Sequence, residues 1–439
     1  MTTLLLTSFL GMITYLVYEN EHADLVSPPF IVSFMFLLSS LTVLINLREW
    51  NVDLSLITVF LIVTSVIFFY IGYRIAIRTV VLKKNKLSNN DATGVLQMNY
   101  IRINTLVVAC SIFFLCVTAV LYYRERMRLA STLGAGGSLF SVISAARHAE
   151  YYTDETMSEL VQRLLIISKS ISYVLAYAFV NNANIKKPNQ KDFLSIIPIL
   201  VYGAIMLLSG GRMSFIHILS YLIILFAITA YRRNGISAEL RAKIMKAILR
   251  VVLIFFALFI YMGFNSGKIT SSIRDSVSVY VGSSINALDI FMKTDMPDET
   301  VFGQETLIPV YSALRSFGIM IPKVETISAR EFVSMNGVRT NVYTALRRYV
   351  RDYSIPGCFL IMIFLGFLYG KFYRYTLTIK SKDYSRIIYA SIFYPLIEMS
   401  IEERFFLKVF SLKEIYELII IFVLYYVLIR PSQRRTMNV

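Results

Sequence analysis

The sequence predicts an all-α, polytopic integral membrane protein with about 11 transmembrane helices and a helical extramembrane loop between spans eight and nine. Composition comes first: 56% of the 439 residues are hydrophobic and 16% are charged, with a mean hydropathy of +0.62. Soluble domains are nearer about 45–50% apolar and about 25% charged. The second observation is that apolar runs recur along the whole chain, and about 20 residues of helix cross a hydrocarbon core of about 30 Å. The third is where the charge falls. A formal charge of +16 raises nucleic acid as a partner, but most Lys and Arg sit in short segments between apolar runs. That is the pattern of membrane orientation, so no nucleic-acid partner is expected.

Taken in order, the spans are expected at 3–18, 29–47, 54–73, 104–123, 164–181, 194–209, 213–230, 247–264, 355–373, 386–400 and 414–430. Each must be helical, because an unpaired amide in hydrocarbon costs several kcal/mol. The first run, from Thr3 to Tyr18, has no basic residue before it and no small-residue cleavage site after it, so a retained helix is expected. Cys110, Cys116 and Cys358 all fall inside apolar runs and read as packing residues.

Connections alternate in charge. One set (19–28, 74–103, 182–193, 231–246, 371–386 and the tail) carries 22 Lys and Arg, and the opposite short connections carry ten. The basic set is expected in the cytoplasm, with the N-terminus outside and the C-terminus inside. The long segment 265–353 then lies on the outer face, dividing the chain into 1–264, 265–353 and 354–439. Its amphipathic stretches near 272–292, 305–317 and 341–353 predict a small helical cap.

Three places hold candidate chemistry. Ser209-Gly210-Gly211-Arg212 interrupts apolar sequence between spans six and seven. Arg212 reads either as an interfacial side chain snorkelling to headgroups or as a bidentate clamp for phosphate, with Gly210 and Gly211 letting a ligand approach the backbone. The run from Arg339 to Tyr353 reads as a helix beginning at Thr340 or Asn341 and broken by Pro356-Gly357 before span nine. Arg347 and Arg351 share one face at i,i+4, while Arg348 and Asp352 share the next and can pair. These arginines serve either as a solvated face against anionic headgroups or as the receptor of an anion at the outer surface. Third, the outer connection 124–163 carries Arg124, Arg126 and Arg128, then Arg147-His148-Ala149-Glu150. His148 or Glu150 can act as a general base, or both are plain surface residues. His217, within span seven, reads as a satisfied intramembrane polar group or as a residue lining the cavity of Arg212, and Glu305 and Glu331 are weaker acid/base candidates. Glu19-Asn20-Glu21 is weighed as a divalent-cation site and set aside because its connection is expected on the inner side. No P-loop, HExxH or CxxC pair is present, and neither metal nor cofactor is called for.

The Gly210-Gly211-Arg212 turn, the large loop near the C-terminus, and Asn341-Val342-Tyr343-Thr344 followed by Tyr349, Asp352, Tyr353 and Gly357 resemble the bacterial O-antigen and capsule repeat-unit polymerases (Wzy). Many members of that family follow the Asp with an aromatic and then Gly, whereas this chain has Tyr353-Ser354 and its glycine at 357. The resemblance implies a glycosyltransferase in the bacterial inner membrane with its active site facing the periplasm. Donor and acceptor would be undecaprenyl-diphosphate-linked oligosaccharides, with membrane lipid and a chain-length regulator as further partners. Arg212, Arg347, Arg348 and Arg351 would receive the diphosphate, with Gly210 and Gly211 beside it. Arg339, Asn341 and Tyr343 would contact substrate, and Asp352, His148 or Glu150 would take the acceptor's proton. An O-antigen ligase uses the same donor and is the nearest enzyme alternative. A lipid-linked oligosaccharide flippase is the non-enzyme alternative, which predicts pseudo-symmetric halves that the sequence does not display.

Overall fold

The computed structural model describes residues 1–85, 99–153, 155–211, 213–265, 273–294, 302–319, 332–378 and 381–431. In chain order the helices are α1 (Thr2–Asn20), α2 (Pro28–Ile45), α3 (Leu56–Asn85), α4 (Thr105–Ser131), α5 (Leu139–Tyr152), α6 (Glu159–Ile185), α7 (Gln190–Leu194) and α8 (Ile197–Leu207). They continue with α9 (Met213–Asn234), α10 (Ala238–Asn265), α11 (Ile273–Lys293), α12 (Ile308–Ser316), α13 (Ala345–Leu377), α14 (Asp383–Ser391), α15 (Tyr394–Glu398) and α16 (Leu412–Leu424). A short hairpin, β1 (Val333–Met335) and β2 (Val338–Thr340), precedes α13, and π-helical turns occupy Phe405–Val409 and Tyr425–Ile429.

Among the described residues, eight helical segments are long and apolar enough to cross a membrane: Thr2–Asn20, Pro28–Ile45, Leu56–Thr79, Thr105–Ser131, Glu159–Ile185, Gln190–Leu207, Met213–Asn234 and Ala345–Leu377. They coincide with expected spans one to seven and nine. The eighth expected span falls inside α10, and the eleventh is divided between α16 and the π-helical turn Tyr425–Ile429. The tenth, 386–400, is not one helix. Pro395 sits at the start of α15, where its missing N–H and its ring cannot continue α14, so the stretch divides into α14 and α15.

The chain folds as two compact units, 1–94 with 271–378 and 393–412, and 95–270 with 379–392 and 413–439. In the first unit α3 and α13 pack backbone against backbone. A Cβ on Gly72 would lie 2.0 Å from the Ile363 carbonyl oxygen, and one on Gly366 would lie 2.0 Å from that of Phe69. Only glycine permits so near an approach. The expected amphipathic helix near 272–292 forms as α11 and is buried through Gly282, Ser283 and Ser284. Ser39 Oγ of α2 donates to the Val281 carbonyl at 2.7 Å, Ser284 Oγ donates to that of Ser400 at 2.6 Å, and Ser283 meets Thr340 of β2. The expected helix at 305–317 is the shorter α12. The third begins at Ala345 rather than 341, because 338–340 is spent on β2.

The connection between α1 and α2 is a buried polar knot. Glu21 accepts from Tyr73 Oη at 2.8 Å and pairs with Arg74 at 3.3 Å and Arg374 at 3.2 Å, so this carboxylate ties α1 to α3 and α13. Asp24 accepts from Tyr373 Oη and, at 3.1 Å, from the Val26 amide. Burial pushes the Asp24 carboxyl up to about 6, with the Tyr373 and Val26 hydrogen bonds and Arg374 opposing. The unfolded chain titrates this group near about 4, so the folded state holds the proton more tightly. Its contribution is complete below about pH 4 and is lost as pH rises through about 6, to the extent of about 3 kcal/mol at most. The thermal midpoint of the purified chain should therefore fall across that interval, and Asp24→Asn should flatten the fall. An unchanged slope in the variant would remove Asp24 as its source.

Candidate functional site

In the first unit the motif residues gather around the turn 302–307. Arg347 and Arg348 are both buried on the first turns of α13. Arg347 Nη1 pairs with Glu305 Oε2 at 2.6 Å, and Arg348 Nη1 donates to the Glu305 carbonyl at 2.8 Å and lies 3.4 Å from Oε2. The Arg347 guanidinium also lies over the rings of Tyr343 and Phe291, 4.7 and 4.9 Å from their centroids. Glu305 is thus the acid that these arginines hold. The expected pairing of Arg348 with Asp352 does not form. Asp352 instead accepts from the Glu305 amide at 3.0 and 3.1 Å, the Thr306 amide at 2.7 Å and Thr306 Oγ1 at 2.7 Å. Both of its oxygens are engaged in fastening the 305–306 turn to α13.

Tyr349 Oη donates to Glu403 Oε1 at 3.2 Å, and Glu403 also accepts the amides of Phe406 and Leu407. Burial raises the Glu403 carboxyl above its ordinary range. Arg351 is half-buried and makes no ion pair among the described residues. Arg339 is exposed on β2, Asn341 is half-buried, and Tyr343 is buried beneath Arg347.

The break in α13 comes before Pro356-Gly357, at Ser354, whose backbone is at φ 62° and ψ 178°. That region is essentially glycine's own and costs other residues about 1–3 kcal/mol. Ser354 is exposed, so Ser354→Gly should raise stability by about 1 kcal/mol by relieving the backbone. Ser354→Ala should not. Equal unfolding midpoints for the two variants would show that the strain is not felt.

The second unit assembles the other two candidates. Arg126 of α4 is buried and pairs with Glu150 of α5 at 2.5 Å, while its Nη2 reaches the carbonyls of Ser209 at 3.3 Å and Ile143 at 3.4 Å. Arg147 Nη1 donates to the Gly210 carbonyl at 2.6 Å. The connection 124–163 and the glycine turn, read separately in the sequence, are one structure here. Gly210 is at φ 65° and a Cβ there would stand 2.7 Å from Ile143 Cγ2, so the turn requires glycine on both counts. Gly211 donates its amide to Ser209 Oγ at 3.1 Å. Arg212 lies outside the described residues, as does Glu331.

His148 is exposed beside a groove of about 520 Å³ lined also by Ser138, Phe140, Ser141 and Ser144. Ser141, Ser144 and His148 share one face of α5 by helical spacing, presenting hydroxyls and an imidazole beside an aromatic ring. Deeper in this unit Lys169 of α6 pairs with Glu417 at 2.8 Å and Glu414 at 3.5 Å on α16. Those acids were not singled out in the sequence. Their i,i+3 spacing in an apolar run, matched by a lysine in another, was the available signal.

Among the described residues no cluster of three or more His, Cys, Asp or Glu side chains could hold a metal ion. Glu21 of the Glu19-Asn20-Glu21 stretch at the end of α1 is engaged by Arg74 and Arg374. No protein-family model, curated protein or solved structure matches the chain.

Proposed function

We propose that the chain polymerises undecaprenyl-diphosphate-linked oligosaccharide repeat units into O-antigen or capsular polysaccharide, working at the periplasmic face of the bacterial inner membrane. The observation that carries the reading is the anchoring of the glycine turn by Arg126 and by Arg147 of α5, the helix that presents His148 to a groove on another of its faces. The glycine turn, the cations that hold it, a candidate base and a groove bearing three serines belong to one unit. In the reaction an acceptor hydroxyl oxygen bonds to the donor's anomeric carbon. The bond from that carbon to the diphosphate oxygen breaks, and the lipid diphosphate departs with the electron pair. Fixed guanidiniums stabilise the charge that develops on it, most strongly where water is sparse.

Arg212 at the glycine turn is the first candidate to receive the diphosphate. Arg347 and Arg348 already face Glu305, so Arg351 is the motif arginine most open to a ligand. His148, facing the groove, ranks first for taking the acceptor's proton. Glu150 is committed to Arg126, and Asp352 acts as a positioning residue for the 305–306 turn. The direct test is the glycan profile of cells lacking the gene. Single repeat units on the lipid core support a polymerase, no glycan on the core points to a ligase, and accumulation inside points to a flippase. In complemented cells Arg212→Ala should abolish long chains at unchanged protein level; normal chain lengths would remove Arg212 from the site.

A further inference from the structure

Away from both centres, the second unit holds a buried pair of arginines that shares one carboxylate. Arg386 of α14 is 0% exposed. Its Nη2 forms an ion pair with Asp383 and donates to Tyr177 Oη of α6 at 3.0 Å, and the guanidinium lies 5.6 Å from the centroid of the Tyr177 ring. Its Nε and Nη1 are buried and meet no acceptor among the described residues. Arg232, in the last turn of α9, approaches the same Asp383 oxygen at 3.6 Å and donates to the Ser381 carbonyl at 3.4 Å. The side chains of Arg232 and Asp383 are 10% and 16% exposed, so the cluster meets its surroundings on their side while Arg386 lies behind.

Two guanidiniums converge on one carboxylate oxygen in a poorly hydrated place, and two buried nitrogens of Arg386 meet no acceptor among the described residues. Buried charge of that kind is costly unless it is paired and hydrogen-bonded. Arg386 can still give Nε and Nη1, which suits an anion with several oxygens better than one with a single acceptor. We propose that Arg386 and Arg232 hold a phosphate-type oxyanion. By charge asymmetry this cluster belongs to the basic connections 231–246 and 371–386, the side read as cytoplasmic. The anion is therefore either the headgroup of an anionic lipid in that leaflet or a free phosphate. Guanidinium geometry serves both. Asp383 is the internal competitor, holding the Arg386 Nη2 that the ligand would share.

The test is thermal unfolding of the full chain purified in detergent. Inorganic phosphate and pyrophosphate are compared with chloride at equal ionic strength, and mixed micelles containing phosphatidylglycerol with micelles containing phosphatidylcholine. A raised midpoint with the inorganic anions assigns a free phosphate; a rise with phosphatidylglycerol alone assigns a headgroup. Arg386→Gln should raise the half-saturating concentration roughly tenfold or more, since charge-assisted bonds are lost. Asp383→Asn should lower it, because the competitor is gone. The proposal fails if none of the phosphate-bearing additives raises the midpoint above its control, or if Arg386→Gln responds as strongly as the native chain. Should Arg386→Gln not fold, Asp383→Asn decides, and a response no tighter than native overturns the site.

Discussion

Gly366→Val should prevent the first unit from forming, with recovery of monodisperse protein falling to a small fraction of the native yield. The reason is local and geometric. The Cβ alone would stand 2.0 Å from the Phe69 carbonyl oxygen and 2.8 Å from its carbon. These are backbone atoms of α3 that cannot rotate aside. Valine adds two methyl groups to that collision. The fault cannot be absorbed nearby either, because Gly72 of α3 makes the reciprocal approach to Ile363, and a Cβ on Gly370 would meet Tyr73 at 2.8 Å and Ala76 at 3.2 Å. Separating the helices would open the whole seam, at a cost of about 3 kcal/mol or more. Gly203 in α8 is the control. Nothing lies within 4 Å of a Cβ built there, so Gly203→Ala should be silent. If Gly366→Val gave native yield and an unchanged unfolding midpoint, the close pairing of α3 and α13 would be wrong.

That seam is legible in the sequence. Gly366-Phe367-Leu368-Tyr369-Gly370 is a glycine pair at helical spacing inside an apolar run, a pattern associated with close helix contact. Asn336-Gly337 was legible too. Flanked by Val333-Ser334-Met335 and Val338-Arg339-Thr340, it is a strong short-range hairpin signal, and both residues take the positive φ, 45° and 88°, that such a turn requires. A helix beginning at Thr340 or Asn341 overlooks this hairpin, since β2 takes Thr340 and α13 begins only at Ala345. Pro395 inside the tenth expected span was a third available signal. Hydropathy, by contrast, located most of the long helices, because lipid imposes one rule on every residue of a span.

The site divides along the same line. Local features such as Gly210 at a turn and the arginines on one helical stretch can be picked out by residue type. Partners cannot. Nothing in the neighbourhood of Arg347 announces Glu305, which is 42 positions away. The resemblance makes Asp352 a candidate base, and its spacing lets it pair with Arg348. The hydrogen bonds that occupy it come from backbone amides, which leave no mark in the sequence.

Glu305→Ala should then be the most damaging polar substitution in the first unit. The side chain is nearly inaccessible and faces Arg347 at 2.6 Å and Arg348 at 3.4 Å, both buried. Removing it strands two cations together. Breaking a buried pair from one side costs about 3–5 kcal/mol, chiefly the penalty of the charge left behind. The same reasoning predicts a partial rescue. Arg347→Met in the Glu305→Ala background removes one stranded charge while keeping apolar bulk against Phe291 and Tyr343, so the double variant should be more stable than Glu305→Ala alone. An interaction energy of about 1–3 kcal/mol across that cycle is expected. Strict additivity would mean that Glu305 and Arg347 do not share their energy, and the ion pair would lose its structural role. Under the proposed polymerase function, a stability rescue that left long-chain glycan absent would give Arg347 a second duty toward the diphosphate. Under the same proposal, recovery of stability and chain length together would make the pair scaffold and leave the anion to other arginines.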